Sequence, residues 1–451
     1  MKKLFFVFSV LTIVALSALT AFAIEGDGTE ETPFLITDQG ELELVTDFPD
    51  CHFKLANDIE LEGTWIPLCK QTSSGTFTGV FDGAGYTISN LTTDGSVGGL
   101  FKHNSGIIKN LNVIIADEGM TGSAAIVSAN SGTVSNCVVK GNIMSSFDNI
   151  GGICSYNSNM VKECKFEGNI ENTYNSGHIG GISGKNDSSA SIVQCAVLAN
   201  ISGKYYAGGI SGDNDGTVTA CYFMGEISSG SSYKGGIAGY NDHPTSYAYS
   251  KIIDCYAVPK FNSGGYGIAY NGSDGSITTS YYDKTISGLS DTSTGTPKST
   301  AAMKMKQTYS KNWDFDTVWG IDKNIKNGYP YLLWEYPNVE DENPYTVNSL
   351  KLTDLSGNEL EEIPNESFYF EINVTKNDHS KNADSLIIAL YDENGAFIDL
   401  KYMSGTYYQN QSMTFGTMIN KTDKKIAKVK AFVWDSLFGM KPLSNEMVVA
   451  N

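Results

Sequence analysis

The chain contains no arginine: all 31 of its Lys+Arg residues are lysine. The planar guanidinium that grips carboxylates and phosphates with two parallel hydrogen bonds is therefore missing. A formal charge of −19 also repels nucleic acid and anionic lipid. Anionic polymers are disfavoured partners on both counts. There is no Cys-x-x-Cys pair, and none of His52, His103, His178, His243 and His379 has a His-Glu-x-x-His context, so zinc sites of either kind lack their ligands. Beyond the first 23 residues no apolar run approaches the ~20 needed to cross a bilayer. Long helical periodicity is absent too. What is present is glycine (47) and tyrosine (25) with many Ser, Thr and Asn between short apolar pairs, the composition of an all-β chain with frequent turns.

The N-terminus reads Lys2-Lys3, then an apolar stretch from Leu4 to Leu19, then Ala21-Phe22-Ala23. This is the charged, hydrophobic and small-residue order of a secretory signal peptide over residues 1–23. The mature chain is then expected to start at Ile24, to carry −21 once Lys2 and Lys3 leave, and to be extracellular or associated with the cell surface, with no membrane insertion after cleavage.

Self-similarity appears at a period of 26 to 31 residues, with seven copies starting near Val97, Ala124, Ile150, Ile179, Ala207, Lys234 and Gly265. Six begin with a glycine-apolar anchor and the second with alanine in its place: Gly99-Leu100, Ala125-Ile126, Gly152-Ile153, Gly181-Ile182, Gly209-Ile210, Gly236-Ile237 and Gly267-Ile268. An asparagine follows each time, at Asn104, Asn130, Asn157, Asn186, Asn214, Asn241 and Asn271. A second anchor follows at Leu111, Cys137, Cys164, Cys195, Cys221, Cys255 and Tyr281. If each repeat is one rung of a parallel coil, about 4.8 Å from the next, equivalent residues stack in ladders. Apolar ladders fill the interior, and the anchor glycines allow close backbone approach. The asparagines are expected at corners, tolerating αL and bonding to the asparagines above and below. The five ladder cysteines read as small buried hydrophobes and not as bridges. Cys51 and Cys69, outside the repeats, are left as a pair that either bridges or does not.

Gly208-Gly209-Ile210-Ser211-Gly212-Asp213-Asn214 and Gly235-Gly236-Ile237-Ala238-Gly239-Tyr240-Asn241, each followed by an extended segment such as Cys221-Tyr222, resemble the GLUG motif. Upstream, Pro33-Phe34-Leu35-Ile36, Leu55-Ala56-Asn57-Asp58-Ile59 and Phe77-Thr78-Gly79-Val80-Phe81-Asp82-Gly83 are similar to the same family, so that the resemblance covers about residues 26–336. It implies an exported bacterial adhesin-like protein. The expected fold is all-β: a right-handed parallel β-helix (β-solenoid) with short capping helices, followed by a small antiparallel β-sandwich. The expected boundaries are 1–23 signal peptide, 24–96 N-terminal cap and first rungs, 97–288 GLUG repeats, 289–337 C-terminal cap, 338–346 linker, and 347–451 a sandwich of the immunoglobulin or fibronectin kind. Capping helices are expected at 38–48 and 300–310, and the aromatic run from Trp313 to Trp334 reads as a lid over the open core. The C-terminal strands, joined in part by the turn Glu393-Asn394-Gly395, resemble accessory modules of exported proteins of Gram-positive anaerobes.

Catalysis has few handholds. Polysaccharide lyases that this fold resembles use an arginine base, and polygalacturonase-like chemistry needs clustered aspartates and a Gly-His-Gly element. Gly177-His178-Ile179 is the nearest approach and belongs to the repeat. No cofactor is expected. Asp213-Asn214-Asp215-Gly216 and Asp274-Gly275 hint at calcium loops, but turns explain them. Binding is the favoured positive reading, with no enzymatic role. Tyr156, Tyr205, Tyr206, Tyr233, Tyr240 and Tyr270, with Tyr247, Tyr249 and Tyr266, fall at or near turns, where rings stack on sugars or protein partners. The expected partner of this monomer is an extracellular glycan or a host or surface protein. The alternatives are a polysaccharide-processing enzyme with an unrecognised carboxylate pair and a purely structural spacer.

Overall fold

The structure is a computed structural model that describes residues 24–70, 75–93, 95, 98–174, 177–231, 233–242, 250–309, 312–323, 325–336, 345–376, 383–406, 412–434 and 447–450. The signal-peptide reading, most of the 338–346 linker, and Val97, His243, Tyr247, Tyr249 and His379 lie outside those residues. Strand accounts for 51% and helix for 7%, which makes the chain all-β: a parallel solenoid of about eight turns, then antiparallel sheets. Among the described residues no helix is long and apolar enough to cross a membrane. The chain divides into two compact units, Met1–Trp313 with Ile321–Pro330, and Asp314–Gly320 with Tyr331–Asn451.

A complete rung runs Asn149–Gly151, Cys154–Asn157, Met160–Lys162 and Lys165–Asn172. We name these the rim, asparagine, short and long strands. Each pairs in parallel with its counterpart one rung on, as in Ile150↔Ile179, Asn157↔Asn186, Val161↔Ile192 and Phe166↔Val197. Like therefore stacks on like. Ile108, Val134, Val161, Ile192, Val218 and Ile252 form one fully buried column, and Leu100, Ile126, Ile153, Ile182, Ile210, Ile237 and Ile268 another. No single rung buries such a face, so the stack supplies the core. Rung two keeps the register despite Ala124-Ala125, with Val127 opposite Cys154. The last rung is one residue short and absorbs it as a bulge between Ala238 and Tyr240.

The turn from short to long strand is made by a left-handed residue in every copy: Asn110, Asn136, Glu163, Gln194, Ala220, Asp254 and Thr279, with φ between 45° and 53°. This corrects the expectation that the ladder asparagines occupy αL, because none of them has positive φ. The residue after each corner is the second anchor. Its thiol donates to the carbonyl two residues back, as in Cys195 Sγ to Val193 O (3.4 Å) and Cys221 Sγ to Thr219 O (3.2 Å). The same sulfur accepts from the previous rung, with Cys195 N bonding Cys221 Sγ and Cys221 N bonding Cys255 Sγ. The cysteines thus satisfy backbone at a strained corner, beyond filling space. At the end of this column stands Ser280 and not Tyr281: Cys255 N donates to Ser280 Oγ at 3.2 Å, and Tyr281 pairs with Tyr256 one residue further on. None of the eight cysteines is in a disulfide, Cys51 and Cys69 included.

The ends are closed by short elements. Asp38 caps the helix Gln39–Glu43, which continues as a 3-10 turn Leu44–Thr46 and buries Leu42 and Val45. The expected helix over 300–310 breaks into Thr300–Met303 and Lys306–Thr308, because Thr308 Oγ1 and the Tyr309 hydroxyl take the carbonyls of Ala302 and Met303 that a continuous helix would use. Trp313 Nε1 donates to Thr279 O, and the Tyr329 hydroxyl donates to the buried Asp283. These rings seal the last rung.

In the second unit, Tyr345–Thr353, Phe368–Lys376 and Ser412–Ile419 form one antiparallel sheet, and Phe397–Thr406, Ala383–Tyr391, Lys428–Trp434 and Met447–Ala450 another. Alternation sends Phe368, Phe370 and Ile372 from one, and Leu386, Ile388, Val429 and Ala431 from the other, into one shared core, which defines a sandwich.

Candidate functional site

Rim strands occur in the four middle rungs, and there the chain doubles back over the asparagine strands. A glycine in three of the asparagine strands makes room: a Cβ at Gly184, Gly212 or Gly239 would fall 2.6, 2.5 or 2.6 Å from the backbone nitrogens of Ile150, Ile179 or Ala207. This doubling sets two columns of side chains beside each other. One, the residue just before each ladder asparagine, begins with His103 and Ala129 and then reads Tyr156, Lys185, Asp213, Tyr240 and Tyr270. The other, from the rim strands, reads Asn149, His178 and Tyr206, with Tyr233 next.

The structure brings together five of the six candidate tyrosines. Tyr206 stacks on Tyr240 (5.0 Å between centroids, 6° between planes), and Tyr240 on Tyr270 (5.4 Å, 14°). Tyr205 and His178 cover Tyr206 at 4.3 and 4.9 Å. Tyr233 meets Tyr206, Tyr240 and Tyr270 edge-on at 5.1, 5.8 and 5.1 Å, and Tyr266 meets Tyr270 edge-on at 5.2 Å. Such contacts add roughly 0.5–1.5 kcal/mol per pair to the burial of area. They also occupy ring faces, so the inner rings have edges left to offer.

Tyr156 lies apart, two rungs towards the N-terminus. It shares a hydrogen bond with Asp187 and shows its hydroxyl pKa raised by burial and by that carboxylate. Between it and the tyrosine stack sits a charged group in which Lys185 meets the two aspartates of the Asp213-Asn214-Asp215-Gly216 turn. Lys185 Nζ is 2.8 Å from both Asp213 Oδ2 and Asp215 Oδ2. Burial opposes the ammonium, but the two carboxylates prevail and raise its pKa. Burial in turn raises the carboxyls of Asp213 and Asp215. His178 Nδ1 stands 4.0 Å from Asp213 Oδ2; burial, with Lys185 nearby, lowers its imidazole to about 4. Among the described residues neither His178 Nδ1 nor Asp213 Oδ1 has a hydrogen-bond partner. The aspartates read as a calcium hint are thus already joined to an ammonium. Tyr240 donates to Asp242 Oδ2 at 3.1 Å, and burial pushes its hydroxyl up to about 12.

Beneath this strip runs the asparagine ladder. Asn104 Nδ2 donates to Asn130 Oδ1 (2.8 Å), and the pattern repeats through Asn157, Asn186, Asn214 and Asn241 to Asn271, at 2.6–2.9 Å and always in the same direction. Two further ladders went unread: Asn136 to Asn110 to Asp82, and Asn200 to Asn169 to Asn142.

No family model matches the chain. Over 60 residues it is 45% identical to a protein of Evansella cellulosilytica that carries the provisional name Gly-rich membrane protein; the match takes in 13% of this chain and 7% of that protein's length. Among solved structures, the enzymatically active domain of tailspike protein 4 of bacteriophage CBA120 aligns at 11% identity and a TM-score of 0.27, covering 86% of this chain and 62% of that one. A TM-score so low carries no argument about this chain.

Proposed function

We propose that this chain is an exported, surface-located binding protein of the adhesin-like kind, whose solenoid holds a linear glycan along the tyrosine stack without cleaving it. The observation that carries this reading is the stack itself. Tyr206, Tyr240 and Tyr270 repeat one ring per rung in near-parallel planes. With their faces covered by one another, they present a row of ring edges at about the rung spacing of ~4.8 Å, with the Tyr240 hydroxyl held on Asp242. A polymer with evenly repeated hydroxyls matches such a row better than one sugar lying on one ring. The test is a panel of plant and host glycans against the full chain. Saturable binding is expected, weakened about tenfold by Tyr206→Ala or Tyr240→Ala, as the loss of one or two kcal/mol of ring contact implies. Binding unchanged in both variants overturns the reading, and saturable binding to protein partners alone overturns its glycan half. Export is checked by fractionation into medium and cell wall.

Cleavage stands as a second reading on one observation: Asp213 and Asp215 are buried carboxyls of raised pKa beside the strip, as acid–base chemistry requires. Lys185, bonded to both, argues against it by holding them in an ion pair. Release of reducing ends by wild type, abolished in Asp213→Asn or Asp215→Asn, would establish cleavage and sink the binding-only proposal.

A further inference from the structure

Next to the tyrosine stack one residue breaks the rule of its column. The rim-strand position filled by Ile150, Ile179 and Ala207, all fully buried, is Lys234 in the next rung. Lys234 is 3% exposed. Its ammonium donates to Ser229 O (3.2 Å), Asn262 Oδ1 (3.1 Å) and Ser263 Oγ (3.1 Å), all neutral. No described carboxylate pairs with it, and burial alone lowers its pKa. A buried charge with neutral partners costs stability that an isoleucine here would not. Departures of this kind from an otherwise consistent pattern concentrate at functional sites.

The ammonium underlies an open cavity of about 390 Å³ lined by Gly230, Ser231, Lys234, Ser263, Gly264, Gly265 and Tyr266. The cavity offers donors. The backbone amides of Ser263, Gly264 and Gly265 donate to no protein group among the described residues, and Gly264 has the positive φ (34°) found in anion-cradling turns. Ser263 Oγ accepts from Lys234 and Ser231 Oγ from the Tyr233 amide, so each hydroxyl hydrogen is left to donate. Tyr266 on the cavity wall touches Tyr270 edge-on, so the cavity adjoins the stack.

We propose that this cavity is a carboxylate subsite, taking the acid group of an acidic sugar in the glycan held on the tyrosine stack. The proposal rests on the glycan reading above and adds the class of sugar. The net negative charge of the chain is no obstacle, since exposed charges further than about 8–10 Å are screened at physiological salt. Long polyanions remain disfavoured.

The test is calorimetric titration of the full chain with trigalacturonate and with its methyl ester, which differ only in the acid groups. Wild type is expected to bind the acid about tenfold more tightly, because the buried ammonium, its three hydrogens given to Ser229, Asn262 and Ser263, still attracts the carboxylate that the amides and hydroxyls hold. Lys234→Met should erase that preference while keeping ester affinity, with a thermal midpoint equal to or above that of wild type. Equal binding of acid and ester by wild type, no binding of either, or a preference that survives Lys234→Met overturns the subsite. Triglutamate binding as tightly as trigalacturonate overturns the sugar assignment. Should Lys234→Met fail to fold, the Ser231→Ala/Ser263→Ala double variant reads the same preference, and an unchanged ratio there overturns the proposal. Loss of the preference alone leaves the tyrosine stack standing. Acid binding that survives Tyr206→Ala and Tyr240→Ala removes the stack and leaves the subsite.

Discussion

Asn157 sits third of seven in the buried ladder, receiving a hydrogen bond from Asn130 and giving one to Asn186, both at 2.9 Å. Asn157→Ala leaves Asn186 Oδ1 without that donor and Asn130 with one acceptor fewer, in a site from which water is excluded. A loss of about 2–4 kcal/mol in urea unfolding is expected, since each stranded polar group costs ~1–3 kcal/mol. At the cysteine column a different substitution is benign. Ser280 already does there what the sulfurs do, so Cys221→Ser should stay within about 1 kcal/mol of wild type, whereas Cys221→Val strands the Cys195 amide and should cost ~1–3 kcal/mol. His178 gives a pH signature. Its imidazole is neutral when folded down to about 4, but in the unfolded chain it protonates near 6.5. Between those values the unfolded state holds more protons, so this contribution to stability is complete above pH 6.5 and is lost as pH falls towards 4, by roughly 3 kcal/mol. The groups around it are Lys185, Asp213, Asp215 and Asp148. The raised carboxyls of Asp213 and Asp215 act with the opposite sign, losing stability as pH rises through their folded values. The difference between wild type and His178→Gln isolates the histidine; parallel stability curves from pH 8 to 4 would refute it.

The anchor glycines lie at the bends just before the asparagine strands, and their role shows only when rungs stack. A Cβ at Gly209 would lie 2.1 Å from Gly236 O and 2.3 Å from the Phe223 ring. Gly209→Ala is therefore expected to cost ~1–3 kcal/mol or more, while Gly416→Ala, with nothing within 4 Å, should cost little by the same urea unfolding assay. Much of this architecture was legible in the sequence, because a period of 26–31 residues with a recurrent asparagine admits few folds besides a coil with that asparagine in column. The apolar columns and most of the cysteine column followed directly. The left-handed corner did not, since Glu163, Gln194, Ala220 and Thr279 share no side-chain chemistry: the corner is imposed by the strands it joins. The charged strip is hidden in the sequence for a different reason. Tyr156, Lys185, Asp213, Tyr240 and Tyr270 all immediately precede a ladder asparagine, so the position was available to be read, but their chemical variety hid a column that only the pairing register reveals. The rim strand that brings His178 and Tyr206 alongside had no repeat signature beyond its glycines.

At the scale of the molecule, eight cysteines and no disulfide set a testable pattern. Cys51 is the one partly exposed thiol, while burial raises Cys69 to about 11 and Cys154 to about 12, and holds Cys137, Cys164, Cys195 and Cys221 well above the usual thiol range. Thiol labelling of the folded protein should modify Cys51 alone and, in urea, all eight; a non-reducing mass short by two hydrogens per bridge would overturn this. The asparagine ladder adds a property that belongs to the whole stack. Every amide nitrogen gives its hydrogen bond toward the C-terminus, until Asn271 hands the last one to Gly275 O. The column is a one-way wire, with an idle donor at whichever rung was laid down most recently. Ribosomes deliver chains from the N-terminus, so each newly made rung needs to bring no more than a carbonyl oxygen to a hydrogen already waiting. Assembly from the far end would reverse that handshake, each new rung bringing a hydrogen to a waiting carbonyl oxygen.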